Sequence, residues 1–350
     1  MNTPPTSPVS EIDGDAGLVA RISNELHLPL LARGVLQSFR PGHLLLGCVA
    51  ALLVLGGAWV LDRALVTMFD SDGSPFGVLG AFWPTGGPEM LQSRLSRFQR
   101  FAEFHEVGAS IVVAFAIVLT GPFLGAIARS TAFDVCLNRH IGLRASAKFS
   151  VRRLSALIGA PAIPLLALGV GSALIALFGL VLFSAGFTQP IGGILFVVPL
   201  LIGLVLGAIG IAFVASHCML APASAIDGAD AIDSIQRSVG YLLARPIRFV
   251  LYVLVLLVLL NYAYALVQTV FRVAINAALA ALPESGLEDA DAEFTASAVN
   301  FWVQLLWLVF IGWVISFYAT ASTAVYLIMR EACDGQDVAV VATDEVRSTG

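Results

Sequence analysis

The sequence predicts an all-α protein, a polytopic bundle of about six transmembrane helices with short interfacial helices in its connections. Hydrophobic residues make up 58% of its 350 residues, charged residues make up only 12%, and the mean hydropathy is +0.89. A soluble domain has roughly a quarter of its residues charged, because its surface faces water. Charges are too few here to cover a globule of this length, so lipid must cover much of the surface.

Six apolar runs are long enough to be transmembrane helices, since roughly 17–25 residues cross the hydrocarbon of a bilayer. They cover residues 44–61, 107–127, 154–187, 191–220, 247–270 and 299–329. The third, fourth and sixth runs exceed the minimum length, so these helices must tilt, bend or extend into the interface.

The runs divide the chain into residues 1–41, 42–330 and 331–350. The first region begins MNTPPTSPVSEIDGDAG, rich in Pro, Ser, Thr and acids, which predicts a disordered cytoplasmic tail. The second is the transmembrane helical domain, and the third is a short cytoplasmic tail. A signal peptide has a basic start followed at once by an apolar core. The first apolar run begins only near Leu44, so we interpret it as an uncleaved span.

Basic residues between the runs predict the orientation, because short connections rich in Lys and Arg stay in the cytoplasm. The residues that set the topology lie in the second and fourth connections: Arg129, Arg139, Arg144, Lys148, Arg152, Arg153, Arg237, Arg245 and Arg248. Both termini are therefore expected on the cytoplasmic side of a cell membrane, and we expect a bacterial inner (cytoplasmic) membrane. The connection over 62–106 holds four arginines on the opposite side, so an extracellular, an interfacial and a re-entrant placement all stay open.

Two connections contain short amphipathic patterns. Residues 88–104 and 230–243 place apolar side chains at helical spacing, with charged side chains mostly on another face. This pattern is typical of a helix that lies in the plane of the interface.

An internal similarity suggests repeats. Residues 150–163, SVRRLSALIGAPAI, align without gaps on residues 234–247, SIQRSVGYLLARPI, and both lead from a basic connection into the next span. Spans two–three and four–five are then parallel repeats, as in some transporters. The alternative is chance, because any basic entry into a membrane helix looks similar.

Polar side chains on the fifth span form a candidate intramembrane face. Asn261, Tyr264 and Gln268 have the spacing i, i+3 and i+7, and Gln304 lies on the sixth span. They can either bond helices together or line a substrate path. No Asp, Glu, Lys or Arg lies in the middle of a span, which argues against transport coupled to protons or ions.

Two pairs of glycines have the small-xxx-small spacing that lets helices approach closely. They are Gly121 with Gly125 and Gly203 with Gly207. We expect both pairs to pack helices within the bundle.

Several chemistries lack their motifs. His105–Glu106 has no second histidine at position 109, as a zinc protease helix requires, and His217–Cys218 has no matching pair that would complete a metal site. Phosphate-binding loops, dinucleotide fingerprints and nucleophile–base pairs are absent from the sequence. Basic residues interleaved with aromatics, as nucleic-acid binding needs, are absent too. We therefore expect no metal, no cofactor, no nucleic acid and no enzymatic activity.

Two passages resemble multispanning bacterial membrane families, including the membrane domain fused to some glycerophosphodiester phosphodiesterases. In the first passage, Ala221–Pro222 ends a span, Asp227–Gly228 follows, and Arg237–Ser238 lies on a short helix before the next span. The second is the ending STAVYLIMREACDGQD, residues 322–337. The resemblance implies a bacterial multispanning protein, and it carries over no catalytic residue because the phosphodiesterase domain is absent.

These observations favour a non-enzymatic scaffold, assembly or membrane-organising protein. The alternative is a transporter or channel for a lipid or another apolar small molecule. The lipid bilayer is one expected partner and other membrane proteins are another, while the sequence leaves the oligomeric state open.

Overall fold

The computed structural model describes residues 28–69, 106–184, 186, 189–280 and 292–335. Their regular elements are all helices, so the predicted all-α class is confirmed. We number them α1 (Leu28–Gln37), α2 (Pro41–Phe69), α3 (Glu106–Leu137), α4 (Leu143–Arg152), α5 (Leu154–Phe183), α6 (Gln189–Leu195), α7 (Val197–Ile226), α8 (Ala231–Ala244), α9 (Pro246–Ala280) and α10 (Ala292–Asp334). The helix predicted over 88–104 lies outside the described residues.

The prediction of about six spans is confirmed. Five helices are long and apolar enough to cross a membrane: Ser110–Leu137, Leu154–Phe183, Val197–Ile226, Pro246–Ala280 and Ser297–Asp334. A sixth span is present if Pro29–Gln37 and Pro41–Gly57, which meet at a bend of 64°, count as one. Proline at the first position of α2 and of α9 fits, because a helix needs no N–H donor there.

Helix α1 lies inside the region predicted to be disordered. Its residue Leu31 is fully buried, and α1 packs against α10. Gly34 permits this approach, since a Cβ atom there would lie 3.3 Å from the carbonyl oxygen of Thr320. Composition averaged over residues 1–41 concealed the apolar sequence LPLLARGVL, and packing against α10 makes that segment helical.

The described helices form three similar units, each with a short helix, a span and a second span. The units are α1–α2–α3, α4–α5–α7 and α8–α9–α10, with α6 in the connection of the second unit. The second spans α3, α7 and α10 pack against one another. Each short helix packs on one of them: α4 on α3, α8 on α7, and α1 on α10. The arrangement therefore has an approximate threefold repeat.

The repeat differs from the one that the sequence similarity predicted. The ungapped alignment pairs Arg153 with Arg237, but Arg153 is the joint between α4 and α5 whereas Arg237 lies inside α8. The residue in the position equivalent to Arg153 is Arg245, the joint between α8 and α9. The register is wrong at the joint because α4 has 10 residues and α8 has 14. Two units were predicted, and the structure has three.

The ends of the units repeat as well. An arginine immediately precedes the first span of each unit: Arg40, Arg153 and Arg245. A residue with positive φ lies just beyond the second span of each unit: Asn138, Gly228 and Gly335, at 51°, 65° and 65°. These are the residues with positive φ in the described part of the chain, and this conformation commonly ends a helix. We call the end of the bundle that carries the short helices and joints the basal end.

Burial concentrates toward the basal end. Tyr252, Met219, Tyr326 and Met329 form its most buried cluster, with at most 2% of each exposed. By contrast, α5 and the first half of α7 expose apolar side chains such as Leu180 (68%) and Leu204 (69%). Exposed apolar surface of this extent on helices of membrane-spanning length requires lipid contact.

Candidate functional site

Asp227, just after α7, is the centre of a buried ionic cluster. Its carboxylate lies 3.0 Å from Nη1 of Arg237 on α8 and 3.1 Å from Nη1 of Arg330 on α10. Tyr326 on α10 donates its hydroxyl to the same carboxylate. The Asp227 side chain is 4% exposed, and a buried charge is tolerated only when it is paired. We call these four residues the Asp227 network; it joins α7, α8 and α10.

Two neighbours extend the Asp227 network. Arg237 also binds Asp233, one helical turn away, with Nε 3.1 Å from the carboxylate. This hydrogen bond raises the pKa of Arg237, so the guanidinium stays charged. Tyr241 donates to Asp334, and burial raises the pKa of Tyr241 above its usual value, with that hydrogen bond raising it further. Its hydroxyl therefore keeps the proton that it donates.

The Asp227 network brings together the two passages singled out in the sequence. Asp227 and Arg237 belong to the first passage, whereas Tyr326 and Arg330 belong to the second. About a hundred residues separate the two passages along the chain. The two passages therefore have a shared structural role that the local sequence could not reveal.

A second cluster lies in the first unit. Arg40, the joint between α1 and α2, donates to Asp134 on the last turns of α3. His140 Nδ1 lies 2.7 Å from the other oxygen of Asp134, whose side chain is 1% exposed. We call Arg40, Asp134 and His140 the Asp134 network; it fixes the joint against the end of α3.

Further polar contacts connect the units in pairs at the basal end. Arg129 on α3 donates to the carbonyl of Ala225 on α7 at 3.1 Å, and its guanidinium lies 3.6 Å from the ring centroid of Phe149. Ser316 on α10 donates to the carbonyl of Ser38, between α1 and α2, at 2.9 Å. Together with the Asp227 network, these bonds connect all three units.

Buried serines face the bundle on two short helices. Ser234 and Ser238 are fully buried on α8, and Ser234 Oγ lies 2.7 Å from Ser224 Oγ on α7. Ser146 and Ser150 are the buried pair on α4, where Ser150 donates to the carbonyl of Pro122 on α3. In the predicted apolar stripe of α8, Ile232 is 62% exposed, whereas Ile235 and Leu242 pack against the core.

A cavity of about 180 Å³ lies beside the Asp134 network, between the start of α2, α3 and α4. Arg40, His43, Ser130 and Ser146 provide its polar lining, together with apolar residues that include Leu46 and Leu143. His43 is 3% exposed and Ser146 is fully buried. His43 Nε2 and Ser146 Oγ have no hydrogen-bond partner among the described residues. The cavity therefore combines unused polar atoms with a cationic side chain.

The polar side chains of the candidate intramembrane face do not all lie on one surface. Asn261 is exposed on the outside of α9. Tyr264 packs edge-on against Phe310 of α10, with ring centroids 5.2 Å apart. Gln268 and Gln304 are partly buried. Tyr264 is thus used in helix packing, and the lipid-facing position of Asn261 separates it from the other three.

The two glycine pairs have different surroundings. A Cβ atom at Gly121 would lie 2.5 Å from the carbonyl oxygen of Leu157, and one at Gly125 would meet the Leu157 side chain at the same distance. This pair therefore lets α3 and α5 pack closely. At Gly203 the nearest atom is 3.9 Å away, and Gly207 has nothing within 4 Å. The helix contact expected at Gly207 is not met in the described residues, because this part of α7 belongs to the exposed apolar surface.

The tightest helix crossing was not identified from the sequence. A Cβ atom at Gly47 on α2 would lie 2.0 Å from the carbonyl oxygen of Gly312 on α10. The small-xxx-small spacing is present here too, as Gly47 with Ala51 and Gly312 with Ser316. That spacing was the available signal, although it does not say which two helices meet.

The predicted topology-setting residues lie at the basal end but have two kinds of surroundings. Arg129, Arg153 and Arg237 are bound within the bundle; Arg153, for instance, donates to the Gly228 carbonyl at 2.6 Å. The exposed members of the set are Arg139, Arg144, Lys148, Arg152, Arg245 and Arg248. The described residues contain no group of three or more His, Cys, Asp or Glu side chains placed to hold a metal ion.

The helices define the class of this protein as a polytopic, α-helical integral membrane protein that contacts the bilayer. No protein-family model, curated protein or solved structure matches the chain.

Proposed function

We propose that this protein is a non-enzymatic scaffold that organises other membrane proteins in a bacterial cytoplasmic membrane, with both termini in the cytoplasm. The observation that supports this proposal is the use of the buried polar groups. Asp227 pairs with Arg237 and Arg330, and Asp134 pairs with Arg40. These side chains hold the helices together and make the bundle rigid, as a scaffold requires.

The exposed surface supports the same proposal. Helix α5 buries few of its apolar side chains inside the protein, and much of α7 is similarly exposed. Small-residue spacing without a neighbour, as at Gly207, also occurs where helices of different chains meet in a membrane. A rigid helix bundle with a wide exposed apolar surface is suited to lateral assembly with other membrane proteins.

Cross-linking in native membranes, followed by purification of the full-length protein, tests the proposal. We expect a discrete complex with a constant ratio of this chain to one other membrane protein. Replacing Gly207 with Leu should weaken that complex, whereas Gly56→Leu, at a glycine on α2 that also has open space around it, is the matched control. A protein recovered only by itself, together with solute flux after reconstitution into liposomes, would contradict the scaffold.

A transporter for a lipid or another apolar small molecule is the second candidate. The cavity near His43 favours it, because this cavity contains polar atoms without partners among the described residues. Transport predicts that fluorescent lipid moves between the leaflets of liposomes containing the protein, and that His43→Phe slows the movement. Equal rates with the protein and without it would exclude this candidate.

A further inference from the structure

We propose that the cavity beside the Asp134 network binds the headgroup of a phospholipid that carries an N–H or O–H donor beyond its phosphate. This site is independent of the scaffold role, since a bound lipid can stabilise a scaffold, a transporter or neither. The cavity has a volume of about 180 Å³ and lies at the basal end, between α2, α3 and α4.

His43 determines the chemistry that the occupant must offer. Its Nδ1 lies 2.9 Å from the carbonyl oxygen of Gln37. Because a carbonyl only accepts, Nδ1 of the neutral ring carries the hydrogen, and Nε2 is left as an acceptor. Nε2 is buried without a partner among the described residues, and leaving such an atom unsatisfied is costly. The occupant therefore donates a hydrogen bond to His43.

The other polar groups suit the phosphate of the same headgroup. Ser146 Oγ is buried and has no partner among the described residues, so its hydroxyl is able to donate. Arg40 lines the cavity, and its guanidinium has five N–H donors, more than its contacts with Asp134 and His140 use. A phosphate between Arg40 and Ser146 would receive charge-assisted hydrogen bonds.

The surface of α2 points to a lipid as the source of this headgroup. Leu45, Val49 and Leu52 follow the cavity at i, i+4 and i+7, and each exposes between 38% and 55% of its area. They share a face of α2 with Gly42, which lines the cavity, so this apolar stripe starts at the cavity and runs along the helix. An acyl chain would cover this stripe while its headgroup occupies the cavity.

Native mass spectrometry of the full-length protein tests the proposal, using equal amounts of phosphatidylethanolamine and phosphatidylcholine. The choline headgroup has no N–H, so it cannot satisfy His43 Nε2. We expect ethanolamine lipid to be retained over choline lipid roughly three- to tenfold, the effect of one hydrogen bond. Phosphatidylglycerol, which has hydroxyl donors, should also be retained over phosphatidylcholine.

Two variants test the two contacts: His43→Phe should remove the preference because it takes away the acceptor, and Ser146→Ala should lower retention of both lipids because both carry the phosphate. The matched control is Ser238→Ala. Ser238 is also fully buried, and its Oγ has no partner among the described residues, but it does not line this cavity. The Ser238→Ala protein should bind lipid as the unmodified protein does. Ser146→Ala keeps the test decisive if His43→Phe does not fold.

Three outcomes would overturn the proposal. Retention of phosphatidylglycerol without phosphatidylethanolamine would show simple attraction of anionic lipid. Displacement of the lipid by an equal concentration of soluble phosphoethanolamine would show a site for the free headgroup. An unchanged ethanolamine preference in His43→Phe, or unchanged retention of both lipids in Ser146→Ala, would place the bound lipid elsewhere.

Discussion

At the scale of single residues, the carboxylate of Asp227 is tightly constrained. It accepts hydrogen bonds from Arg237 and Tyr326 and forms an ion pair with Arg330 while being almost fully buried. The sequence pattern marks Asp227–Gly228 and Arg237 through the resemblance. It could not link them to Tyr326 and Arg330, because that contact depends on how α7, α8 and α10 pack.

Replacing Asp227 with Asn should destabilise the protein by about 3 kcal/mol, because breaking a buried ion pair leaves its cations without the compensating charge. Thermal unfolding of the purified protein in detergent measures the effect. Asp233→Asn is the control: it also removes a partner of Arg237, but Asp233 is 44% exposed, so the expected loss is below about 1 kcal/mol. Equal losses in the two variants would mean that burial of Asp227 has no energetic importance.

At the scale of helices, α2 and α10 cross with their backbones in contact at Gly47 and Gly312. Neither helix has a charged or amphipathic pattern that would indicate this partner, and apolar runs of similar composition are interchangeable at the level of sequence. The structure selects the pair because each of these glycines leaves room for the backbone of the opposite helix.

Gly47→Ala should therefore separate α2 from α10 and cost about 1–3 kcal/mol or more, as overpacking does. Gly56→Ala lies on the same helix, where a Cβ atom would meet nothing within 4 Å. It should be neutral or stabilise the helix by up to about 1 kcal/mol. Unfolding in a denaturing detergent, followed by circular dichroism, compares the two variants. A stable Gly47→Ala protein would contradict this close crossing.

At the scale of the whole molecule, the spans could be predicted and their arrangement could not. Long apolar runs identified α3, α5, α7, α9 and α10 because crossing a bilayer imposes a minimum length. Several helices extend past the runs; α9, for example, ends at Ala280 rather than near residue 270. The threefold repeat was only partly predicted, since its units share positions of helices, joints and caps more than they share residues.

The predicted orientation is tested by labelling cysteines introduced one at a time into a chain without its native cysteines. A reagent that does not cross membranes should modify Asp230→Cys, whose aspartate side chain is 93% exposed, only after intact cells are opened. Ala290→Cys, outside the described residues, should react in intact cells. The reverse pattern would overturn the placement of both termini in the cytoplasm.

The docking of α1 on α10 has a consequence for biosynthesis. The bond between Ser38 and Ser316 joins positions 278 residues apart, so the first helix leaves the ribosome long before its partner exists. The first and third units can pack against each other only after α10 has been inserted. Chains that stop short of α10 should therefore remain open at the seam between first and last units, where quality-control proteases would recognise them.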